Sequence, residues 1–260
     1  FRNIERVGQP PGPDTQGRVV VSNHTNALID PVLVLTDAAC EISPVAKSTL
    51  WDVPGLKWLL DRAGAVPIVR RKDNANKDSS TNAEMFVKIA SHLAGGGNIL
   101  IFPEGTSHSE PHLAPLRTGA ARMLMAAETA RGIPPTFQAA ALEFDARHDF
   151  RSRCLVLWGP VRRFAEVPGA DDEERIKNAT EVMNADLSEL LVEGETHEER
   201  LRVARVAELL ANDEGDRSLG KWSGIGRQVE LANRTLKTVE PKLIARVAEH
   251  VDAYRSEEHT

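Results

Sequence analysis

Long apolar runs and a cysteine framework are both missing from this chain of 260 residues. No window approaches the roughly 18 to 20 uninterrupted apolar residues that a membrane-spanning helix needs, which excludes such a helix from this sequence. The two cysteines, Cys40 and Cys154, lie within apolar runs and form neither a disulfide framework nor a metal-binding motif. Their number and placement favour a reducing compartment.

A signal-peptide pattern is also missing. The chain starts at Phe1, and the segment "FRNIERVG" is typical of the middle of a domain, so we expect native sequence upstream, with room for a membrane anchor. Hydrophobic residues make up 41% and charged residues 27%, as in a soluble globular protein, which excludes disorder as the main state. The length suits one large domain, or one domain with an appendage.

The net charge of -6 is unevenly distributed along the chain. Residues 1–165 contain 19 Lys and Arg against 16 Asp and Glu, a net of +3, whereas residues 166–260 contain 13 against 22, a net of -9. The basic excess favours an anionic substrate for the first part, and the acidic second part argues against nucleic acid as a partner.

Short apolar runs alternate with helical spacing through the first part of the chain. The runs, bounded by Gly, Pro or Asn, are "RVVVS", "SPVAK", "GAVPIV", "NILIFP", "FQAAALEF" and "CLVLWG". Most do not alternate between apolar and polar residues, as expected of strands buried on both faces. Helical patterns lie between them, at 31–39, 50–62, 80–96 and 117–131. The sequence therefore predicts an α/β fold, with a largely parallel sheet flanked by helices.

From about residue 166 the strand-like runs stop. Three helical segments are predicted near 171–192, 195–212 and 225–254, and "LRVARVAELLA" and "LIARVAEHV" carry apolar stripes opposite charged faces. These stripes favour packing on the sheet or on one another, with membrane contact or a dimer seam as alternatives. The predicted organisation is an α/β domain over 1–165 and a helical C-terminal region over 166–260.

A histidine follows the first valine-rich strand, where a capping residue alone would begin the next helix. Asn23 and His24 lie just past that strand, where α/β sheets place ligand sites, and Asp30 and Pro31 follow. We expect Asp30 to cap the helix, and its carboxylate would also fix the tautomer of His24 and raise its basicity. On a continuous helix the two side chains would differ by about 120°, so they meet only if a turn separates them.

The stretch "NILIFPEGTSH" places polar residues after a second buried strand. Gly105 permits a tight turn and a close approach of a ligand to the backbone. Glu104 is a candidate either to hold a substrate hydroxyl or to accept hydrogen bonds from loop amides. Thr106, in the same turn, is a further substrate-binding candidate.

Three arginines are candidates to bind a phosphate. Arg70 and Arg71 follow the run "GAVPIV", and Arg117 precedes a glycine and a predicted helix in "LAPLRTGAARM". A guanidinium binds phosphate in a bidentate manner, and helix-start amides add to such a site. The alternative interpretation of the Arg70–Arg71 pair is a solvated loop.

The order and spacing of these blocks resemble the glycerolipid acyltransferases, the superfamily of glycerol-phosphate and lysophosphatidate acyltransferases. The blocks are Asn-His-x5-Asp, Gly-x-x-Pro-x-x-Arg and Phe-Pro-Glu-Gly-Thr, and the resemblance covers the predicted α/β domain. It implies that His24 is the general base, oriented by Asp30, and that Arg70 binds the acceptor's phosphate. It also implies that Glu104 and Gly105 complete the acceptor site. Asn23, Arg71, Thr106 and Arg117 are further substrate-binding candidates in this scheme.

Two departures from the usual pattern are similar to one branch of that superfamily. The usual first block is His-x4-Asp, whereas five residues separate His24 from Asp30, and Ser107-His108 stands where Arg-Ser is usual. Both features, with "PLRTGAARM" and "HDFRSRCLVLWGP", resemble the fungal-type glycerol-3-phosphate and dihydroxyacetone-phosphate acyltransferases. The fourth block, near "GIPPTFQAAALEF", is degenerate here, and no residue is assigned from it.

The resemblance implies an O-acyltransferase of phospholipid biosynthesis. It would move a fatty acyl group from acyl-CoA or acyl-carrier protein to a hydroxyl of glycerol-3-phosphate or dihydroxyacetone phosphate, with lysophosphatidate as the alternative acceptor. No cofactor or metal is expected. The expected location is the cytoplasmic face of a membrane, either peripheral or anchored by a segment absent from this chain, with "LWDVPGLKWLL" as a candidate interfacial helix.

Two other classes of protein remain open at this point. One is a metal-dependent phosphohydrolase with His24, Asp30, Glu104 and His108 as ligands, although no tight His-x-His or His-x3-His pair supports it. The other is a non-catalytic module that binds lipid or phosphate, which the intact His/Asp pair opposes.

Overall fold

The computed structural model describes residues 1–69, 79–130, 132–147, 149 and 151–258. Within these ranges the chain forms strands up to residue 163, with helices between most of them, and only helices after that. The strands are β1 (Asn3–Val7), β2 (Arg18–Ser22), β3 (Ser43–Lys47), β4 (Val66–Ile68), β5 (Ile99–Ile101), β6 (Thr136–Phe144) and β7 (Arg153–Arg163).

The described strands form one seven-stranded sheet in the order β1-β7-β6-β2-β5-β3-β4. Strands β6, β2, β5, β3 and β4 are parallel to one another, β7 is antiparallel to β6, and β1 is parallel to β7. The prediction of an α/β fold with a largely parallel sheet is confirmed. Strand β1 was not predicted, because "NIERV" lacks an apolar run and lies at the edge of the sheet with Ile4 exposed.

Burial on both faces explains the unbroken valine run of β2. The strand pairs with β6 on one side and β5 on the other, so it lies in the interior of the sheet. Val19 and Val21 join the larger core cluster and Val20 joins the smaller one, and all three are fully buried. Successive side chains of a strand point to opposite faces, so each face needs its own apolar residues.

The helices cover both faces of the sheet. They are α1 (Ile29–Asp37), α2 (Leu56–Arg62), α3 (Ser79–Ala94), α4 (Gly119–Thr129), α5 (Asp172–Leu190), α6 (His197–Asp213), α7 (Leu219–Val239) and α8 (Pro241–Glu258). Short 3-10 helices lie at Ser48–Asp52 and Phe164–Glu166. Helices α3, α4 and α5 contribute to the larger cluster, and α1 contributes Leu33 and Val34 to the smaller one.

Two predicted helices are each interrupted. The segment 50–62 is a 3-10 helix followed by α2, because Gly55 adopts a left-handed backbone with φ 80° between them. The segment 225–254 is two helices, α7 and α8, and α7 begins earlier than expected, at Leu219. Pro241 is the first residue of α8; proline lacks the amide that a continuous helix would use there.

The C-terminal helices pack on the sheet and on each other, as their apolar stripes predict. Met183 and Leu187 of α5 belong to the larger core cluster, whereas Ala207 of α6 and Ile225 of α7 form a small separate one. None of the helices in the described part of the chain is long and apolar enough to cross a membrane.

Candidate active site

Two loops meet where the adjacent parallel strands β2 and β5 end. We name residues 23–28, after β2, the His24 turn, and residues 102–108, after β5, the Glu104 loop. The amide of His24 donates to Glu104 Oε1 at 2.6 Å, and the amide of His108 donates to the carbonyl of His24 at 3.1 Å. Both sides of the His24 backbone are therefore held by the Glu104 loop.

The side chains of His24 and Asp30 are in direct contact. His24 Nδ1 lies 2.9 Å from Asp30 Oδ2, the carboxylate is fully buried, and the imidazole retains 16% exposure. An ionised carboxylate can only accept, so Nδ1 carries the proton and Nε2 is the basic nitrogen. The ring stacks on Phe102 with centroids 4.3 Å apart, which fixes its plane.

A turn between His24 and Asp30 brings their side chains together, as their six-residue spacing in the sequence required. Asp30 Oδ2 also accepts from the amides of Thr25, at 2.8 Å, and Asn26, at 2.7 Å. Ala27 has a φ of 44°, a conformation that L-residues adopt at a cost. The expectation that Asp30 caps α1 is wrong: the N-cap is Leu28, and the carboxylate turns back to the loop amides instead.

Glu104 is buried, and both of its oxygens are in use. Oε1 accepts from the His24 amide, while Oε2 accepts from the Ala114 amide at 2.9 Å and contacts His108 Nε2. Of the two roles considered for this residue, the one that the geometry displays is the bonding of loop amides. The carboxylate is 3% exposed, and its predicted contact with a substrate hydroxyl stays a prediction.

Asn23 connects the His24 turn to the neighbouring strand β6. Its Oδ1 accepts from the Leu142 amide at 2.7 Å, and its Nδ2 donates to the Leu142 carbonyl at 3.1 Å. The side chain thus takes the place of a strand partner where β2 has ended. Its predicted contact with substrate stays a prediction.

Gly105, in the Glu104 loop, lies against the side chain of Arg117. Gly105 has a φ of 76°, and a Cβ there would lie 2.6 Å from Arg117 Nε. Glycine therefore allows both the turn and the close approach of the guanidinium. Thr106 and Arg117 are exposed, and the Arg117 amide donates to the Pro103 carbonyl. Arg70 and Arg71 lie outside the described residues.

A cavity of about 240 Å³ lies beside the two loops. Asn23, Thr25, Glu104 and His108 form one wall of it. The rest is formed by residues 110–113, by β6 and the residues that follow it, by the α5–α6 connection and by α6. Arg147 and Arg200 also line it, and neither was predicted from the sequence. Arg147 follows the end of β6 by three residues, the same strand-end position that singled out His24, whereas nothing in the sequence marked Arg200.

Electrostatics couple Arg147 to its surroundings. Burial lowers the pKa of Arg147, the positive charge of Arg200 lowers it further, and the negative charge of Asp30 raises it. The Arg147 guanidinium is therefore near enough to interact electrostatically with Arg200 and with the Asp30 carboxylate. Within the described ranges, no group of three or more His, Cys, Asp or Glu side chains is arranged to hold a metal ion.

Comparison with known proteins shows the family. The "Acyltransferase" family model matches residues 2–137, which is more than half of the chain. The chain therefore belongs to this acyltransferase family, as the three sequence blocks indicated.

Curated relatives carry the names of two related activities. Glycerol-3-phosphate O-acyltransferase 2 of Saccharomyces cerevisiae is 38% identical over 82 residues, which are 30% of this chain and 11% of the yeast protein. The chloroplastic 1-acyl-sn-glycerol-3-phosphate acyltransferase LPAT1 of Arabidopsis thaliana is 26% identical over 133 residues, which are 51% of this chain and 34% of that protein. The chain thus spans only a part of each relative.

Among solved structures, the 1-acyl-sn-glycerophosphate acyltransferase PlsC from Thermotoga maritima has a similar fold. The TM-score is 0.50 with 15% sequence identity, and the alignment covers 73% of each chain. At that identity the match concerns the fold alone.

Proposed function

We propose that this protein transfers an acyl group from a thioester donor, acyl-CoA or acyl-carrier protein, to a hydroxyl of a glycerol phosphate. The observation that carries the proposal is the buried His24–Asp30 pair, with Nδ1 and Oδ2 2.9 Å apart. It stands at the carboxyl end of a parallel strand, where α/β sheets present their ligands. Membership of the acyltransferase family supports the same reaction class.

In the proposed mechanism His24 is the general base. Asp30 holds the Nδ1–H, so Nε2 accepts the proton of the acceptor hydroxyl as its oxygen attacks the thioester carbonyl. The resulting imidazolium is stabilised by the Asp30 carboxylate. When the tetrahedral intermediate collapses, the carbon–sulfur bond breaks, and the proton passes from Nε2 to the departing thiolate. The substrate hydroxyl is the nucleophile throughout.

The oxyanion of that intermediate needs hydrogen-bond donors. The amide of Gly105 donates to the Phe102 carbonyl at 3.0 Å, so it is already used within the Glu104 loop. We therefore propose that donors of the Glu104 loop other than the Gly105 amide stabilise the oxyanion.

For the acceptor, we propose glycerol-3-phosphate or dihydroxyacetone phosphate ahead of lysophosphatidate. The five-residue interval between His24 and Asp30 and the Ser107-His108 ending support this choice through the resemblance to the fungal-type branch. Lysophosphatidate is the alternative, because two chloroplastic relatives are named for the 1-acyl acceptor.

Three arginines are candidates for the phosphate of the proposed acceptor. The resemblance implies Arg70 as the phosphate ligand, and Arg71 and Arg117, whose side chain lies against Gly105, are further candidates. Both Arg70 and Arg71 lie outside the described residues.

We also propose that the protein works at a membrane surface, on its cytoplasmic face. Helix α2 supports this, because Trp58 is 71% exposed and Leu59 is 51% exposed, next to Lys57. Exposed tryptophan and leucine beside a lysine suit the boundary between headgroups and acyl chains. Binding to vesicles of anionic phospholipid, lost in Trp58→Ser, would support this placement, and equal binding by both proteins would contradict it.

The test of the proposed function is a side-by-side assay of the two acceptors. Purified protein is given labelled palmitoyl-CoA with either glycerol-3-phosphate or lysophosphatidate, with detergent controls. We expect palmitoyl transfer either to glycerol-3-phosphate alone or to both acceptors, with the larger kcat/KM for glycerol-3-phosphate. A tenfold preference for lysophosphatidate would overturn the choice of acceptor, and no transfer to either would overturn the acyltransferase proposal.

A further inference from the structure

His108 holds the main chain of His24 by two routes. Its backbone amide donates to the His24 carbonyl at 3.1 Å. Its ring nitrogen Nε2 contacts Oε2 of Glu104, and the other oxygen of Glu104, Oε1, accepts from the His24 amide at 2.6 Å. The carbonyl and the amide of His24 are therefore both fixed through His108, and the imidazole of His24 takes no part in either route.

The contacts of the His108 ring determine which of its nitrogens carries the proton. Nδ1 accepts from the Glu110 amide at 3.2 Å, and a backbone amide can only donate. The proton is therefore on Nε2, which donates it to the Glu104 carboxylate. His24 has the opposite tautomer, because its Nδ1–H is held by Asp30 and its Nε2 is the basic nitrogen. Both ring nitrogens of His108 are used, which suits a residue that holds a carboxylate.

The Glu104 carboxylate depends on such a donor because it is buried. The Glu104 side chain is 0% exposed and the His108 side chain is 12% exposed. A buried carboxylate needs hydrogen-bond donors in place of the water that it has lost. Oε2 receives two of them, the Ala114 amide at 2.9 Å and His108 Nε2. Without the ring, Oε2 would keep the Ala114 amide alone, and the carboxylate would be fixed less firmly against the His24 amide.

Ser107 contacts the same turn three residues after His24. Its Oγ accepts from the Ala27 amide at 3.3 Å. Ala27 has a φ of 44°, so its backbone conformation is costly for an L-residue, and the hydrogen bond offsets part of that cost. Ser107 and His108 thus hold the His24 turn near its two ends.

We infer that His108 is a positioning residue for acyl transfer, which acts through Glu104 on the main chain of His24, and that Ser107 supports the other end of the turn. The inference rests on the proposed function, in which His24 is the base. The two departures from the usual sequence pattern are then in contact in the structure, because Ser107 and His108 bind the turn that carries the additional residue.

Two substitutions of His108 separate positioning from proton transfer. His108→Ala removes the ring, whereas His108→Gln keeps an N–H donor for Glu104 but cannot serve as an acid or a base. We expect His108→Ala to lower the kcat of palmitoyl transfer at least about tenfold, because the base is displaced, and His108→Gln to retain at least about a third of it. The KM of palmitoyl-CoA and that of the acceptor should stay within about threefold. The control His197→Ala, exposed on α6, should keep the wild-type kcat.

A second readout does not depend on turnover. The Nδ1–H of His24 is hydrogen-bonded to a buried carboxylate, so it should give a low-field proton signal in NMR, assigned by its loss in His24→Ala. His108→Ala should shift this signal or lose it to exchange with water, and His108→Gln should keep it. Far-UV dichroism and melting temperatures show whether each variant is folded. If His108→Ala does not fold, the kcat and the NMR signal of His108→Gln decide.

Ser107→Ala tests the contact at the other end of the turn. We expect kcat to fall about two- to fivefold, the scale of one exposed hydrogen bond between neutral groups. Ser109→Ala, an exposed change in the adjoining chain, is the control and should match the wild-type protein. Wild-type kcat in Ser107→Ala would overturn the part assigned to Ser107.

The remaining outcomes distinguish positioning from other roles of His108. A folded His108→Ala protein with wild-type kcat would overturn the inference and leave the acyltransferase proposal standing. A low kcat in His108→Gln as well would indicate proton transfer by His108, and a raised KM at unchanged kcat would indicate substrate binding; either would overturn positioning. If the wild-type protein transfers no acyl group, the proposed function fails and the His24 signal decides. Its loss in His108→Ala and retention in His108→Gln would still support the positioning of His24, and its persistence in both would overturn it.

Discussion

The backbone amide of His24 donates a 2.6 Å hydrogen bond to Oε1 of Glu104, across the ends of two adjacent parallel strands. The contact joins the first and third sequence blocks directly. It places Glu104 as the residue that positions the base, because the carboxylate holds the main chain of His24 and leaves the imidazole free to contact Asp30. The first and third blocks, which are far apart in the sequence, are therefore in direct contact in the structure.

Glu104→Gln should weaken both the fold and catalysis. Each oxygen of Glu104 accepts from a backbone amide, so the NH2 group of glutamine must face a donor at one of them. We expect a loss of about 1–3 kcal/mol in the free energy of unfolding. We also expect kcat to fall by a larger factor than the KM of either substrate changes, because the base is displaced and the binding site is not.

Urea unfolding and steady-state kinetics check this prediction. Glu181→Gln, an exposed change on α5, is the control and should leave both quantities unchanged. If Glu104→Gln matches the wild-type protein in stability and in kcat, Glu104 does not position His24.

Ala27 is predicted to control how well His24 and Asp30 meet. Its φ of 44° is strained for alanine and permitted for glycine. Ala27→Gly should therefore keep kcat within about twofold and leave the melting temperature equal or higher. Ala27→Val should lower kcat at least about tenfold, since a β-branched residue is strongly disfavoured at positive φ and would open the turn. A valine variant with wild-type kcat would show that the turn tolerates other geometries.

The sequence predicted the strands that have valine-rich or apolar runs, because burial on both faces requires such runs. It also predicted that His24 and Asp30 meet only through a turn. It could not reveal that Asp30 binds the amides of Thr25 and Asn26 in place of capping α1, because both arrangements use the same residue at the same place. Arg200 could not be predicted as a cavity residue, because the packing of α6 decides which side of that helix faces the site.

Asn23→Ala should destabilise the fold. Its side chain makes two hydrogen bonds to the backbone of Leu142 and is 4% exposed, so alanine leaves a buried amide and a buried carbonyl without partners. We expect the free energy of unfolding to fall by about 2–4 kcal/mol, measured in urea. Asn178→Ala, which loses one surface bond to Pro168, is the control and should cost less than about 1 kcal/mol. A raised acceptor KM at wild-type stability would instead support the predicted contact with substrate.

Replacement of His24 tests the central claim that this histidine is the base of an acyl transfer. His24→Ala removes Nε2 from a side chain that otherwise only stacks on Phe102 and contacts Asp30, so folding should be largely preserved. The rate of palmitoyl transfer should fall at least about 100-fold, the usual scale for a lost general base. Far-UV dichroism and the melting temperature should change little, and the control His250→Ala, exposed on α8, should keep the wild-type rate. A folded His24→Ala protein that retains more than about a third of the wild-type rate would contradict the account.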